Sequence, residues 1–507
     1  MGRLSSALIA LVLSLALTAG ALSASTLSWN LTLDPSSIKY QETAQGRLQV
    51  LIDGYSNLEY LDYPALPYRV VSILVPQGED FSSCRIEILE EAALDLSKPV
   101  GIFHGASRVD GTMAGVAIAK VDAESSDGIF PARRVQYLGS SYYRGYRIAN
   151  VAVYPIRYSL KSGALTLARE VRLIVETAPA AKACEPVSRK RAVSGFREES
   201  RGNVEGMVIN PEEASAYSFD EIRVDPGTRA FLPSYEPSMD GSTVKYLIVT
   251  NEAMKSAFQR LADCRTKEGI PAVVRTVEWI SENVRSGADR AESIRNYICA
   301  AYEQWGVEWV VLGGDTDVIP ARFAYCSYYT GEFIPTDMYY SCLDGTWNAD
   351  GDSLWGEAYH SSSLPGDEVD LYSEVYVGRM PASTLDEANI LVNKAIEYST
   401  PTDTASRSKF LILAEVLFPS PYYPGDPINL DGAEITEPMY ANYLESNPDV
   451  TTTRLYEIYY DYSGALELTK NAVIDSMNAG TNHILDVGHG NLYNMSVGNG
   501  SIINYDA

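Results

Sequence analysis

The sequence predicts a multidomain chain: a β-sandwich-like amino-terminal domain followed by an α/β domain built on a mostly parallel sheet. Three observations carry that expectation. At 507 residues the chain exceeds what one ordinary hydrophobic core serves, so two or three domains are expected. Residues 26–180 contain short strand-like runs broken by Gly, Pro and Asp, with no long helical period. From Lys245 onward strands and helices alternate, the pattern of repeated β-α units and hence of a parallel sheet covered on both faces.

The first residues form a segment of their own. Met1-Gly2-Arg3 is a short basic start, residues 7–17 are apolar, and Ala21-Leu22-Ser23-Ala24-Ser25 is rich in small residues. This reads as a secretory signal peptide over 1–24, which places the protein outside the cell or on its surface. No later stretch is apolar for long enough to span a bilayer, so no transmembrane segment is expected. The formal net charge of −26, from 66 acidic and 40 basic residues, disfavours nucleic acid as a partner.

Within the β-rich domain (25–180), strand-like runs cover 46–52, 68–75 and 84–89. A hairpin is expected from 146–158 and 165–176 around Lys161-Ser162-Gly163. His104-Gly105 reads as surface loop. Residues 181–242 lose all periodicity and read as an exposed linker. Its Arg189-Lys190-Arg191 triplet is either a processing site or a solvated charge run.

The α/β domain (243–507) predicts strands over 246–250, 271–276, 308–312, 375–378, 410–414, 452–455 and 482–487. Helices are predicted over 253–267, 291–305, 385–398, 433–444 and 465–479, with Gly269 and Gly480 as stops. In open α/β sheets ligands and reactive groups gather at the carboxyl ends of strands. Asp315, Glu415 and His489 fall there. His489 stands between Gly488 and Gly490 directly after an apolar strand, where an imidazole suits proton transfer and the glycines let backbone approach a substrate. His483, at the start of that strand, reads as an edge or packing histidine.

Two further groups bear on chemistry. Asp344, Asn348, Asp350, Asp352 and Glu357 crowd a Gly-rich loop, and hard oxygen ligands at alternating positions suit a structural Ca²⁺. The loop does not complete an EF-hand, and an Asx-rich turn without metal is the competing reading. The six cysteines, Cys84, Cys184, Cys264, Cys299, Cys326 and Cys342, contain no CxxC. Cys326 and Cys342 are candidates to pair, and buried free thiols are expected for most.

Taken together these motifs resemble the caspase-like cysteine peptidases and, more closely, the gingipain family. The resemblance rests on residues 245–276, on Val310-Val311-Leu312-Gly313-Gly314-Asp315 with Val318-Ile319-Pro320-Ala321, and on Thr336-Asp337-Met338-Tyr339-Tyr340. It continues through Glu374-Val375-Tyr376-Val377-Gly378-Arg379 and Gly488-His489-Gly490. Pro64-Ala65-Leu66-Pro67-Tyr68 and Val75-Pro76-Gln77-Gly78 resemble the propeptide domain of the same family. The resemblance implies a caspase-like α/β domain and a secreted zymogen that cleaves protein or peptide substrates by Cys/His catalysis without a cofactor, with its own prodomain as intramolecular inhibitor. It implies His489 as acid/base, Gly490 as an oxyanion donor and Glu415 as a carboxylate near the active site. Asp431 and Glu434 fall near the S1 carboxylate of arginine-specific members. The family nucleophile follows the next strand after the histidine, whereas all six cysteines precede His489. The catalytic domain is therefore expected to be C-terminally incomplete and this polypeptide inactive by itself. The competing expectations are a non-catalytic secreted surface or secretion-machinery protein with the same fold, and a calcium-stabilised adhesin-like module.

Overall fold

A computed structural model of the chain describes residues 25–42, 46–58, 63–94, 96–102, 127–180, 186–190, 195–221, 244–284, 287–326, 332–357, 366–367, 369, 371–399, 405–428, 430–490 and 493–503. Residues 1–24, expected as a signal peptide, and His104 lie outside them.

The amino-terminal region is antiparallel. One sheet is organised around the long strand Leu165–Pro179, which pairs with Thr26–Thr32 and with Glu79–Leu94. The other runs Ser56–Leu58, Leu66–Leu74, Tyr146–Val153, Val135–Tyr143. Val71, Ile73, Val151 and Val153 of the second sheet pack against Leu173 and Val175 of the first, so the two share a core. The expected hairpin is only partly formed. Tyr146–Val153 belongs to the second sheet, and only Ile156–Ser159 pairs with Leu165–Pro179, through Ile156 to Tyr158. Pro155, between the two segments, has no N–H to give a ladder, and the chain changes sheets there.

The expectation of an exposed linker is corrected over its described part. Val187 N–H donates to Asp344, and Lys190 N–H donates to the Glu303 carbonyl (2.9 Å), so residues 186–190 lie along the α/β region. The helix Phe196–Met207 and the turn Pro211–Ala216 then return to the amino-terminal domain. There the Asn210 side chain clamps Leu74, accepting from its N–H (2.9 Å) and donating to its carbonyl (2.8 Å).

The predicted β-α alternation is present, but as two four-stranded parallel sheets rather than one. The first orders its strands Ala272–Thr276, Tyr246–Thr250, Trp309–Gly313, Tyr376–Met380. Helices Lys255–Lys267 and Arg290–Trp305 cover it, burying Phe258, Leu261, Ile294 and Ile298. The second orders Leu466–Glu467, Thr451–Tyr456, Lys409–Ala414, His483–Val487. Along Lys409–Ala414 the strand period of two divides the side chains cleanly. Leu411 and Leu413 face Val473 and the hairpin residues Met495 and Ile502, while Ile412 and Ala414 face Ala433 and Met439. The last predicted helix begins later than expected, at Lys470, because Thr469 caps it (3.2 Å to Ala472 N) and Leu466–Glu467 joins the sheet edge. No helix among the described residues is long and apolar enough to cross a membrane.

Candidate active site

Lys409–Ala414 and His483–Val487 are parallel neighbours with Ala414 opposite Val487, so both strands end at the same edge. Glu415 follows one and Gly488-His489 the other. The Glu415 N–H donates to the Val487 carbonyl (3.0 Å), and its carbonyl accepts from Gly432 N–H (2.8 Å). Gly432 has to be glycine: a Cβ there would lie 2.8 Å from the carbonyl oxygens of both Glu415 and Val487.

The Glu415 side chain is 2% exposed and carries three contacts. Its Oε2 accepts the His489 backbone N–H at 2.8 Å and lies 3.2 Å from His489 Nδ1. Its Oε1 accepts Gly498 N–H at 2.6 Å from the turn of the hairpin formed by Asn494–Val497 and Gly500–Ile503. Gly488 lets the loop cross this carboxylate, since a Cβ would sit 3.0 Å from Oε2. A carboxylate at Nδ1 selects the tautomer with hydrogen on that nitrogen, leaving Nε2 to take or give a proton. The imidazole side chain is 23% exposed, with the Phe418 ring edge-on at 5.9 Å, so Nε2 is reachable. Beside it Ser496 N–H donates to the His489 carbonyl (2.9 Å). This ladder does not use the Gly490 N–H, which meets no acceptor among the described residues.

Two more carboxylates lie at this edge. Glu457 accepts Val416 N–H (2.9 Å), and burial together with Glu415 and Asp431 pushes its carboxyl up while His489 pulls it down. Asp431 is buried with both oxygens engaged. One caps the helix Gly432–Met439 through Ala433 N–H (3.0 Å), and the other accepts the Tyr462 hydroxyl. Asp431 is thus a helix cap here, and Glu434 is exposed in the first turn of that helix.

The other predicted residues lie elsewhere. Asp315 lies two residues past the end of strand Trp309–Gly313 of the first sheet, where its side chain accepts Thr316 N–H (2.7 Å). His483 stacks on Phe410 (4.5 Å), as a packing residue does. Asp337 and Arg379 join two of the sequence motifs through a two-pronged ion pair with both contacts at 2.7 Å. Cys84 belongs to the amino-terminal domain, and Cys264, Cys299 and Cys342 belong to the first-sheet unit. Burial pushes the Cys84 thiol up to about 11 and that of Cys299 to about 12, against the thiolate a nucleophile needs. Cys184 and the Cys326 side chain lie outside the described residues. In the basic triplet Arg189 is buried at 2% exposure, which corrects its reading as an exposed processing residue; Lys190 is exposed, and Arg191 lies outside the described residues.

The proposed calcium ligands do not all converge. Asp350 and Glu357 come within 4.8 Å of each other and of Asp367, which the sequence reading missed because it lies ten residues beyond the loop. Asp367 is buried and orders the loop through Ala349 N–H (2.8 Å) and Glu357 N–H (3.0 Å). Asn348 Oδ1 is shut off from solvent without a donor, and an acceptor left so suits a cation. Asp352 turns to Leu354 N–H (2.6 Å). Asp344 stands apart, facing Val187 and Arg295, because its short side chain is drawn into the contact with residues 186–190.

The model of peptidase family C25 matches residues 240–506, more than half of the chain, and so takes in both parallel sheets and the Glu415–His489 pair. The chain belongs to peptidase family C25. These are the gingipain-type cysteine peptidases. Among solved structures, the Arg-specific cysteine proteinase gingipain R is 18% identical with TM-score 0.36, over 52% of this chain and 51% of that one. Gingipain K of Porphyromonas gingivalis, from a study of zymogenic latency, is 19% identical with TM-score 0.24, over 30% of this chain and 100% of that one. Dimeric latent PorU of the same organism is 14% identical with TM-score 0.25, over 75% and 35%. The chain spans about half the length of the gingipain R structure. No curated protein matches it.

Proposed function

We propose that this C25 chain is the prodomain and catalytic part of a secreted cysteine endopeptidase made as a zymogen. The observation that carries the reading is the buried Glu415 carboxylate at His489 Nδ1 (3.2 Å), which orients an imidazole whose other nitrogen is open. His489 Nε2 takes the proton of a thiol placed beside it, the thiolate attacks the scissile carbonyl, the same proton passes to the leaving amine, and the uncommitted Gly490 N–H helps hold the oxyanion. Asp431 and Glu434 are proposed to shape the substrate side of this edge, with Tyr462 giving way before Asp431 meets a basic side chain. The substrates are proteins or peptides. The test is hydrolysis of peptide substrates by the product of the complete gene. His489→Ala is expected to lower kcat/KM by about three orders of magnitude or more with unchanged circular dichroism. Undiminished hydrolysis in that variant rules the reading out.

The prodomain is proposed to restrain the enzyme, and its extensive docking supports this. Its described contacts fall at the amino edge of the first sheet, where Arg144 N–H donates to Glu374 (3.3 Å) and Tyr143 meets Tyr372 edge-on (6.3 Å). They do not fall at His489. A second reading, a non-catalytic protein with this fold, draws on the four described cysteines, all of which sit on other elements.

Structural calcium is proposed at Asp350, Glu357 and Asp367 with the Asn348 amide oxygen. Millimolar Ca²⁺ is expected to raise the Tm of the whole chain by several degrees. The effect is expected to vanish in Asp350→Asn, whose carboxylate is exposed and free of core contacts. Identical melting with Ca²⁺ and with chelator removes the proposal.

A further inference from the structure

Where the prodomain meets the first sheet there is a cavity of about 260 Å³, lined by Arg144 of the prodomain turn, Arg189, and Lys245 at the start of the sheet, among others. Arg189 is only 2% exposed, and its guanidinium is pressed between Phe196 (3.8 Å) and Tyr302 (4.8 Å). Nη2 donates to the Val307 carbonyl at 2.8 Å, while Nε and Nη1 meet no well-formed hydrogen-bond acceptor among the described residues. The Nε of Arg144 is likewise buried without one. A buried cation with unmatched donors is costly unless an anion completes it.

The carboxylates around the cavity are already committed. Glu199 takes Arg144 Nη1 (3.1 Å), Glu308 takes Lys245 (3.2 Å), and Glu374 takes the N–H groups of Arg144 (3.3 Å) and Leu343 (2.8 Å). Arg189 has the Val307 carbonyl, with the Tyr302 hydroxyl and the already paired Glu308 nearby, and no carboxylate of its own among the described residues. Burial pulls its guanidinium below the usual value, and neighbouring Arg144 adds to this. An anion in the cavity relieves both effects, and a guanidinium is the side chain best matched to oxyanions.

We propose that this cavity binds one small inorganic oxyanion of phosphate or sulfate size, which ties the Arg189 segment and the prodomain turn to the first sheet. With a net charge of −26 the rest of the surface repels such ions, so stoichiometric binding reports this site.

Equilibrium dialysis of labelled phosphate against the whole chain, at constant ionic strength, is expected to give about one site with Kd on the order of 1 mM. Sulfate competes, and acetate does not. Arg189→Met, which keeps the apolar stem against Phe196, weakens binding at least about tenfold. Hydrogen exchange in wild-type protein guards against a variant that fails to fold: phosphate is expected to slow the Val187 and Lys190 amides and leave those of Lys409–Ala414 unchanged. Absence of phosphate binding to the wild type, equal binding by a folded Arg189→Met, binding of acetate alone, or unaltered exchange at Val187 and Lys190 each overturns the proposal.

Discussion

Glu415→Gln is expected to lower thermal stability by roughly 2–3 kcal/mol and hydrolysis by about two orders of magnitude or more. The reason is the distribution of donors around this buried carboxylate. His489 N–H and Nδ1 face Oε2, and Gly498 N–H faces Oε1, so both oxygens are needed as acceptors. A glutamine offers one carbonyl and one NH₂. If the carbonyl faces His489, the NH₂ meets the Gly498 N–H across a contact that is 2.6 Å in the native chain. If it faces Gly498, the NH₂ opposes the His489 backbone donor and supplies a hydrogen to Nδ1, which forces the ring proton onto Nε2. That is the wrong tautomer for accepting a proton there. One orientation costs the hairpin and the other costs the base. Thermal unfolding of the chain and kcat/KM of the complete enzyme test the two halves separately. Wild-type values for both would remove Glu415 from its assigned role.

The second large effect concerns pH and the prodomain contact. Asp344 is buried against Val187 and Arg295 with the Glu374 carboxyl beside it, and burial pushes its carboxyl from 3.8 up to about 7 despite help from the Val187 N–H and Arg295. A carboxyl raised on folding takes up a proton that the unfolded chain releases. Its full stabilising contribution is therefore present below about pH 4, falls as pH rises to about 7, and is constant above that. The total is roughly 4 kcal/mol at most, from about 1.4 kcal/mol per unit over the rise from 3.8 to about 7. Asp344→Asn keeps an oxygen for Val187 N–H and abolishes the ionisation. The gap in Tm between variant and wild type is expected to widen in favour of the variant from pH 4 to pH 8. Parallel curves would mean that Asp344 does not ionise in this range.

How much of this was legible in the sequence follows from how local each signal is. Six of the seven α/β strands lie within one residue of the expected bounds, because most are short apolar runs with a clear stop, as Trp309–Gly313 is before Gly314-Asp315. The candidate site was half legible: a histidine between glycines stands out, whereas Gly498 and Glu457 matter only because distant strands end side by side. The split into two sheets was hidden because pairing between parallel strands leaves no trace in either strand alone. The same is true of Arg189. A basic triplet among Ser and Glu has the composition of a solvated run, and only the Phe196 and Tyr302 rings, one of them more than a hundred residues away, remove it from water.

If the chain is a zymogen, as proposed above, the path of residues 186–221 bears on its maturation. The chain leaves the prodomain, touches the α/β region at Val187 to Lys190, and then returns to grip Leu74 through Asn210. Cutting one covalent bond in this stretch does not undo the embrace, and where the cut falls decides which fragment is left whole. A cut after residue 221 lets the propeptide keep its Asn210 clasp and depart, if it departs, as an intact folded partner able to rebind. A cut between residues 190 and 195 leaves the helix Phe196–Met207 and the clasp attached to the enzyme, so release of the propeptide strips it of a wall of its own core. On the zymogen reading, the first cut would make a reversible inhibitor, and the second a disposable one.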